Sequence, residues 1–303
     1  MAVPPPESPS RTAAELATQP ACWHRAADAA PATDGLPRTG ERVAVTGCGT
    51  SWFMAQAYAA LRETAGEGET DAFAASEFPT ARRYDRVVAI TRSGTTTEVL
   101  DLLAALRGTA PLLALTADPA TPVRDAADAL AVLDWADEES VVQTRFATTA
   151  LALLRAALPG GADAVRRAAA EAASVVTEPL PAALLSASQW TFLGRGWAYG
   201  LAQEAALKMR EAAGAWTESY PAMEYRHGPV AIAGAGRVTW AFGPVPDGLE
   251  EAVGAAGGTF VHAARDPLAE LVRAQRVAVA VAEGRDRDPD RPRGLARSVV
   301  LGA

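Results

Sequence analysis

Two turns rich in hydroxyl side chains each follow a predicted buried strand and precede a predicted helix. The first, GCGTS at 47–51, carries Thr50 and Ser51. The second, TRSGTT at 91–96, carries Thr91, Arg92, Ser93, Thr95 and Thr96. Turns of this kind direct backbone N–H groups towards an anion, and a guanidinium among hydroxyls suits a phosphate monoester. The pattern therefore predicts a phosphate site at the carboxyl ends of neighbouring strands, with simple helix capping by Ser and Thr as the alternative.

Three charged residues form a second group that could take part in catalysis. Glu204, Lys208 and Glu211 are spaced i, i+4 and i+7 in a helix predicted from about 199 to 213, so they share one face of it. Lys208 is the single lysine among 28 basic residues, and an ammonium is not interchangeable with a guanidinium. We therefore predict a functional Lys208 beside a carboxylate base, with a solvated stripe of charges as the alternative.

Neither glycine-rich turn has the pattern of a nucleotide site. A dinucleotide site needs a third glycine three residues after the second, where Trp52 and Tyr199 stand after the turns at 47–51 and 194–196. No lysine follows either turn, as a Walker loop requires. The three His and two Cys show no metal-ligand spacing. The sequence thus predicts no cofactor and no metal.

Strands and helices alternate along the chain, and this order must position the residues above. The predicted strands lie at 42–46, 86–91, 111–117, 129–135, 190–194, 238–243 and 259–264. Helical patterns separate most of them, so we predict an α/β fold of parallel sheets with helices on both faces.

The sequence divides into three predicted segments. A start rich in Pro and Ser and the helical pattern after it predict an N-terminal arm and helix over 1–30. The breaks at 159–163 and 179–181 then separate a first α/β domain over 31–178 from a second domain with a C-terminal tail over 179–303. Within the first segment, the first twelve residues are expected to be frayed.

Composition narrows the class of protein. The chain has 303 residues, a net charge of −8 and 49% hydrophobic residues. Its acidity disfavours nucleic acid as a partner, and no apolar stretch of about 18 residues is free of charge, which disfavours a membrane span. The proline-rich start MAVPPPESPSRT does not have the apolar run of a signal peptide. We therefore expect a cytoplasmic protein.

Several motifs resemble the sugar isomerase (SIS) domain family of phosphosugar enzymes: GCGTS at 47–51, ASEFP at 75–79 and ITRSGTTTE at 90–98. The segments LGRGWAYGLAQEAALKMREAAGAWTESYPAMEYRHGP at 193–229 and DPDRPRGLARSV at 288–299 resemble the isomerase half of glucosamine-6-phosphate synthase. The resemblance implies two SIS subdomains, each a parallel sheet flanked by helices in a flavodoxin-like three-layer arrangement. We expect no glutaminase domain, and hence no ammonia from glutamine.

The resemblance also implies roles for individual residues. Its phosphate-binding positions are Thr50, Ser51, Thr91, Arg92, Ser93 and Thr96. Glu138 and Gln143 match positions near the sugar. Glu211 matches the carboxylate that moves a proton between C1 and C2, and Lys208 a lysine one turn before it. His227 matches a histidine that assists ring opening in a neighbouring subunit's site, which implies a homodimer.

Two arginines depart from the family pattern. The resemblance implies a Schiff-base lysine at position 297, where this chain has Arg297, and a neutral glutamine at position 92, where it has Arg92. A guanidinium stays protonated and does not form a Schiff base. We therefore expect Arg297 to hold a substrate hydroxyl or an N-acetyl carbonyl, and the synthase reaction to be absent.

The groups that remain would open a hexose 6-phosphate and abstract the proton α to its aldehyde. The expected substrates are amino-sugar phosphates, glucosamine 6-phosphate or N-acetylglucosamine 6-phosphate, or else fructose 6-phosphate. The expected outcome is isomerisation or β-elimination by a dehydratase. The alternatives are deamination of glucosamine 6-phosphate and a non-catalytic sugar-phosphate sensor.

Overall fold

Two parallel β-sheets form the centre of the molecule, whose computed structural model describes residues 9–301. The nine strands in this range are β1 (Val43–Gly47), β2 (Thr70–Ala74), β3 (Arg86–Ile90), β4 (Leu112–Thr116), β5 (Ala129–Val132), β6 (Gln189–Gly194), β7 (Thr217–Pro221), β8 (Arg237–Phe242) and β9 (Thr259–His262). The first sheet has the order β2-β1-β3-β4-β5 and the second the order β7-β6-β8-β9. Every neighbouring pair is parallel, so the predicted α/β class is confirmed.

Helices cover both sheets. Between residues 9 and 301 they are α1 (Arg11–Ala17), α2 (Gln19–Ala29), α3 (Thr50–Thr64), α4 (Thr97–Leu106), α5 (Val123–Ala126), α6 (Arg145–Ala156), α7 (Gly161–Val175), α8 (Ala182–Leu185), α9 (Ala198–Ala213), α10 (Leu249–Ala255) and α11 (Pro267–Glu283). None of these helices is both long enough and apolar enough to span a membrane.

The central strands are apolar because helices pack on both of their faces. All residues of β1, β3 and β4 are buried, as expected for a parallel sheet covered on two sides. The edge strands β2 and β7 are mostly half-buried. Helices α3 and α9 each follow the first strand of their sheet and pack against each other.

The two sheets share one hydrophobic core. Its largest cluster joins Val45 of β1 and Ile90 of β3 to Trp240 of β8, and it includes Trp23 of α2 and Val277 of α11. Burial of apolar area in this cluster stabilises both halves at once. The two sheets therefore form one packed unit, and the division at 178/179 stays a prediction.

The N-terminal segment is more ordered than predicted. Residues 1–8 of the predicted arm lie outside the described residues, but α1 already begins at Arg11, with the Ser10 hydroxyl accepting a hydrogen bond from the Ala13 N–H at 3.3 Å. Thr12 is buried and donates to Asp290 at 2.7 Å. Pro20 lies in the first turn of α2, where a missing N–H costs nothing.

Candidate functional site

A cavity of about 200 Å³ opens where β1 and β3 end. The strand order reverses between these two neighbours, and ligands of open α/β sheets bind at such a point. Its walls come from the two hydroxyl-rich turns, the loop at 141–143, the end of α9 and the C-terminal tail. The lining residues are Cys48, Gly49, Thr50, Ser51, Ile90, Thr91, Arg92, Ser93, Thr96, Val99, Val141, Gln143, Glu211, Leu295, Ala296, Arg297, Ser298 and Val299.

The first turn brings Thr50 and Ser51 to the N-terminus of α3. Gly49 has a φ of 55°, a left-handed conformation that glycine adopts without strain. Gly47 is needed for a close approach, because a Cβ there would lie 2.6 Å from the Cβ of Ser51. The turn therefore brings two hydroxyl-bearing residues and the positive end of the α3 dipole to the cavity wall.

The second turn supplies the opposite wall. Ser93 and Thr96 line the cavity with Thr91, whose buried hydroxyl oxygen has no hydrogen-bond partner among the described residues. Buried hydroxyls are normally paired. Such a hydroxyl on the wall of the cavity suits an anion-binding site.

Arg92 reaches the cavity, but its terminal nitrogens are already engaged. They donate to the carbonyl oxygens of Ser140 at 3.1 Å and Arg297 at 3.0 Å, and the guanidinium lies 3.6 Å from the Glu138 carboxylate. Burial lowers the pKa of Arg92, and Glu138 opposes this effect. The guanidinium therefore serves the protein's own groups, and only its Nε is left without a partner in the described chain.

The structure separates the two predicted residues near the sugar. Gln143 lines the cavity. Glu138 does not: its carboxylate accepts hydrogen bonds from the backbone N–H groups of Thr144 at 2.6 Å and Arg145 at 2.8 Å, at the start of α6. A carboxylate at a helix N-terminus stabilises that helix, so Glu138 fixes the loop that carries Gln143.

The charged face of α9 is buried at Glu204 and Lys208, and it reaches the cavity at Glu211 near the C-terminal end of the helix. Glu204 and Lys208 are 0% and 1% exposed, and the Lys208 ammonium lies 3.5 Å from Glu204. It also forms a close ion pair with Glu211, which lines the cavity. The solvated-stripe alternative is thus excluded for Glu204 and Lys208.

The protonation states of this group follow from burial and charge. Burial raises the pKa of Glu204 to about 8, although the Lys208 ammonium opposes the shift. Burial works to lower the pKa of Lys208, but the carboxylates of Glu204 and Glu211 outweigh it, so this pKa is raised. Two carboxylates around one ammonium leave one negative charge in excess, and a proton on Glu204 removes it. Near neutral pH the group is thus an ion pair of Lys208 with Glu211, beside a neutral Glu204.

The third predicted catalytic residue lies elsewhere. His227 is exposed, in a short 3₁₀ turn after β7, and it does not line the cavity. Within residues 9–301 of one chain, the imidazole therefore does not meet Glu211 at the cavity.

Sequence reasoning missed part of the lining. Ser298 of the tail lies 3.1 Å from the Ser93 hydroxyl and 2.9 Å from the Thr95 hydroxyl. Arg297, predicted as a substrate ligand, lines the cavity, but its guanidinium is paired with Asp137 at 2.5 Å. Cys48 also faces the cavity, and burial raises the pKa of its thiol, which keeps it protonated. The one signal for Ser298 was a hydroxyl next to Arg297.

The sequence is similar to that of curated aminotransferases. A glutamine–fructose-6-phosphate aminotransferase [isomerizing] from Xanthomonas campestris is 26% identical in an alignment that covers 89% of this chain and 54% of that protein. The chain thus spans about half the length of this curated relative. No family model matches the chain.

Two solved structures share the fold. A glucosamine-6-phosphate deaminase from Thermotoga maritima has a TM-score of 0.79 and 22% identity, covering 96% of this chain and all of that one. The C-terminal domain of a glucosamine-fructose-6-phosphate aminotransferase from Francisella tularensis has a TM-score of 0.80 and 19% identity, covering 94% and 99%. The resemblance to SIS domains and to the isomerase half of the synthase is therefore confirmed, as is the two-subdomain α/β fold.

Proposed function

We propose that the chain is an enzyme that binds a hexose or hexosamine 6-phosphate and moves a proton between C1 and C2, with Glu211 as the base. One observation carries the proposal. The Glu211 carboxylate lines the same cavity as the hydroxyls of Thr50, Ser51 and Ser93, so an anion site and a base face one space.

The proposed chemistry follows from the phosphate-binding hydroxyls and the carboxylate that line this cavity. The hydroxyls and the N-termini of α3 and α4 would hold the phosphate, which extends the open sugar chain towards Glu211. The carboxylate takes the proton from C2 of the aldehyde to give an enediol, and it returns the proton to C1 to give the ketose. Lys208 holds Glu211 in place, since their ion pair is buried at its inner end.

The substrates that we propose are glucosamine 6-phosphate, N-acetylglucosamine 6-phosphate and fructose 6-phosphate. The similarity to a glutamine–fructose-6-phosphate aminotransferase and to a glucosamine-6-phosphate deaminase supports an amino sugar. Loss of the C3 hydroxyl from the same enediol would make the enzyme a dehydratase, and binding without turnover would make it a sensor.

Deamination is a second candidate, favoured by the similarity to the deaminase structure. With glucosamine 6-phosphate, proton transfer from C2 to C1 yields a C2 ketimine. Water adds to this imine and ammonia leaves, giving fructose 6-phosphate. This route needs no lysine Schiff base and is therefore compatible with Arg297.

Ring opening would require a second copy of the chain. His227 is exposed and outside the cavity, so we propose that it acts in the site of a partner subunit in a homodimer. The C2-symmetric arrangement commonest among homodimers would complete both sites in the same way.

The test is incubation of the full chain with each of the three sugar phosphates in D₂O, read by NMR and by an ammonia assay. Deuterium entering the sugar at C1 or C2 supports the proposal; released ammonia selects the deaminase and an unsaturated product the dehydratase. Glu211→Gln should slow exchange by about 100-fold or more while phosphate binding is kept. The matched control Glu250→Gln, on the exposed face of α10, should behave as the parent. If none of the three sugar phosphates is converted and none exchanges deuterium, the proposal is refuted and the sensor remains.

A further inference from the structure

The C-terminal tail forms a strap, residues 295–301, of which residues 295–299 line the cavity. The backbone N–H of Thr97 donates to the Val299 carbonyl at 3.2 Å, and the Leu301 N–H donates to the Thr97 hydroxyl at 2.9 Å. These two bonds fix the far end of the strap on the first turn of α4. Leu295, Val299 and Leu301 are nevertheless exposed apolar residues of this strap, so little burial holds it down.

Two arginines hold the strap at residue 297. One donates to the strap from the sheet, and the other belongs to the strap and donates to the loop at 137–138. Arg92, from the sheet, donates to the carbonyl oxygen of Arg297. Arg297, from the strap, donates to the carbonyl oxygen of Glu138 and pairs with Asp137. The loop side is itself anchored, because Glu138 holds the start of α6. Both positions are among those where the chain departs from the residues that the family resemblance implies.

Ser298 lies in the strap between Arg297 and Val299, next to the hydroxyls of the turn at 91–96. Its oxygen is 3.1 Å from Ser93, 2.9 Å from Thr95 and 3.5 Å from Thr96. Ser93 and Thr96 are among the hydroxyls that the proposed function gives to the phosphate. The strap therefore uses the donors that an incoming anion would need.

We propose that Arg92 and Arg297 form a reciprocal clasp that fastens residues 295–301 over the cavity, and that Ser298 occupies the anion's place until a sugar phosphate displaces it. Arg92 and Arg297 are then positioning residues, and neither is a direct ligand of the substrate. This inference rests on the phosphate site of the proposed function.

The energetics of the two arginines suit a reversible fastening. Arg92 is 4% exposed and pairs with a buried carboxylate, so it forms the fixed half. The side chains of Arg297 and Asp137 are 38% and 41% exposed, and solvent screens such a pair strongly. The Arg297 half is thus the one that opens.

The clasp is tested without ligand by hydrogen exchange of residues 295–301. Asp137→Asn removes the charge that Arg297 holds, and we expect exchange of the strap to rise by about two- to fivefold, the range that an exposed ion pair supports. Asp101→Asn, exposed on α4, is the matched control. Unchanged exchange in Asp137→Asn would overturn the clasp.

The place-holding role of Ser298 is tested by titration with inorganic phosphate. Phosphate should speed exchange of the strap, Ser298→Ala should bind phosphate more tightly than the parent, and Ser298→Asp should bind it more weakly because its carboxylate takes the same donors. Slower strap exchange with phosphate, or equal affinities in all three proteins, would overturn this role. If the parent and Ser298→Ala both fail to bind phosphate, the proposed function fails with it, while the ligand-free comparison still decides the clasp.

Discussion

The Lys208 ammonium lies 3.5 Å from the Glu204 carboxylate, and both side chains are completely withdrawn from solvent. Neither oxygen of Glu204 has a hydrogen-bond partner among the described residues. Two buried ionisable groups with so few other partners depend on each other, and on Glu211 at the cavity, for their charge states. The charged group proposed for proton transfer therefore includes two buried residues, Glu204 and Lys208, that do not line the cavity.

Lys208→Met should destabilise the fold while conserving the length of the side chain. It removes the only ammonium near two carboxylates, and breaking a buried pair costs about 3–5 kcal/mol when the other charge stays buried. A protonated Glu204 reduces this cost, so we expect a loss of about 3 kcal/mol in the free energy of unfolding, measured by urea denaturation. In the double variant with Glu204→Gln the loss should be smaller than the sum of the single losses. Additive losses would contradict the coupling.

The stability of the protein should fall as the pH rises through the window set by Glu204. Its pKa is about 8 in the folded state against 4.5 ordinarily. Between these values the folded protein binds a proton that the unfolded chain has released, so the free energy of unfolding decreases with rising pH. Urea denaturation across this window should give a negative slope in the parent and a flatter one in Glu204→Gln. The same slope in both proteins would rule out Glu204 as its source.

The central strands and the edge strands β5 and β9 could be predicted from the sequence, but the edge strands β2 and β7 could not. Strands β1, β3, β4, β6 and β8 are apolar runs, because neighbours cover them on both faces. TDAFA of β2 and TESYP of β7 are mostly half-buried, and such short polar segments read as loops. Helix α11 was also missed: it is buried on most of its surface, which blurs the helical period on which sequence reasoning depends.

Some residues of the cavity could be predicted from the local sequence, and others are placed only by tertiary contacts. Thr50, Ser51 and Ser93 are placed by strand-to-helix turns that the local sequence specifies. The turning of Arg92 towards the tail, and the arrival of Ser298 among the hydroxyls, depend on contacts between residues about 200 positions apart. No local pattern encodes such pairings.

Gly200→Ala should disturb the position of Glu211 from a distance. A Cβ at residue 200 would lie 2.4 Å from the carbonyl oxygen of Phe53, so α9 would have to move away from α3. We expect a loss of about 1–3 kcal/mol in stability together with slower deuterium exchange into the substrate. Gly254→Ala in α10, where a Cβ meets nothing within 4 Å, is the control and should gain about 0.5–1 kcal/mol. Unaltered stability and exchange in Gly200→Ala would show that the two helices adjust freely.

Complementation between two inactive variants would test the proposed role of His227 across a dimer. Glu211→Gln and His227→Ala should each be inactive on the cyclic sugar phosphate. If each site combines Glu211 of one chain with His227 of the other, a mixed dimer contains one site with both substitutions and one with neither. Random re-pairing of equal amounts then gives mixed dimers in half of the population, with one intact site in each, so about a quarter of the parent activity should return.

The controls for this experiment separate the arrangement from dimer formation. Each variant refolded alone should remain inactive, and sedimentation should give the same oligomer for both. If His227 served its own chain's site, each mixed dimer would contain two singly damaged sites and no activity would return. Activity of His227→Ala equal to the parent's on the cyclic substrate would remove the residue from the proposed mechanism, because ring opening would then proceed without it.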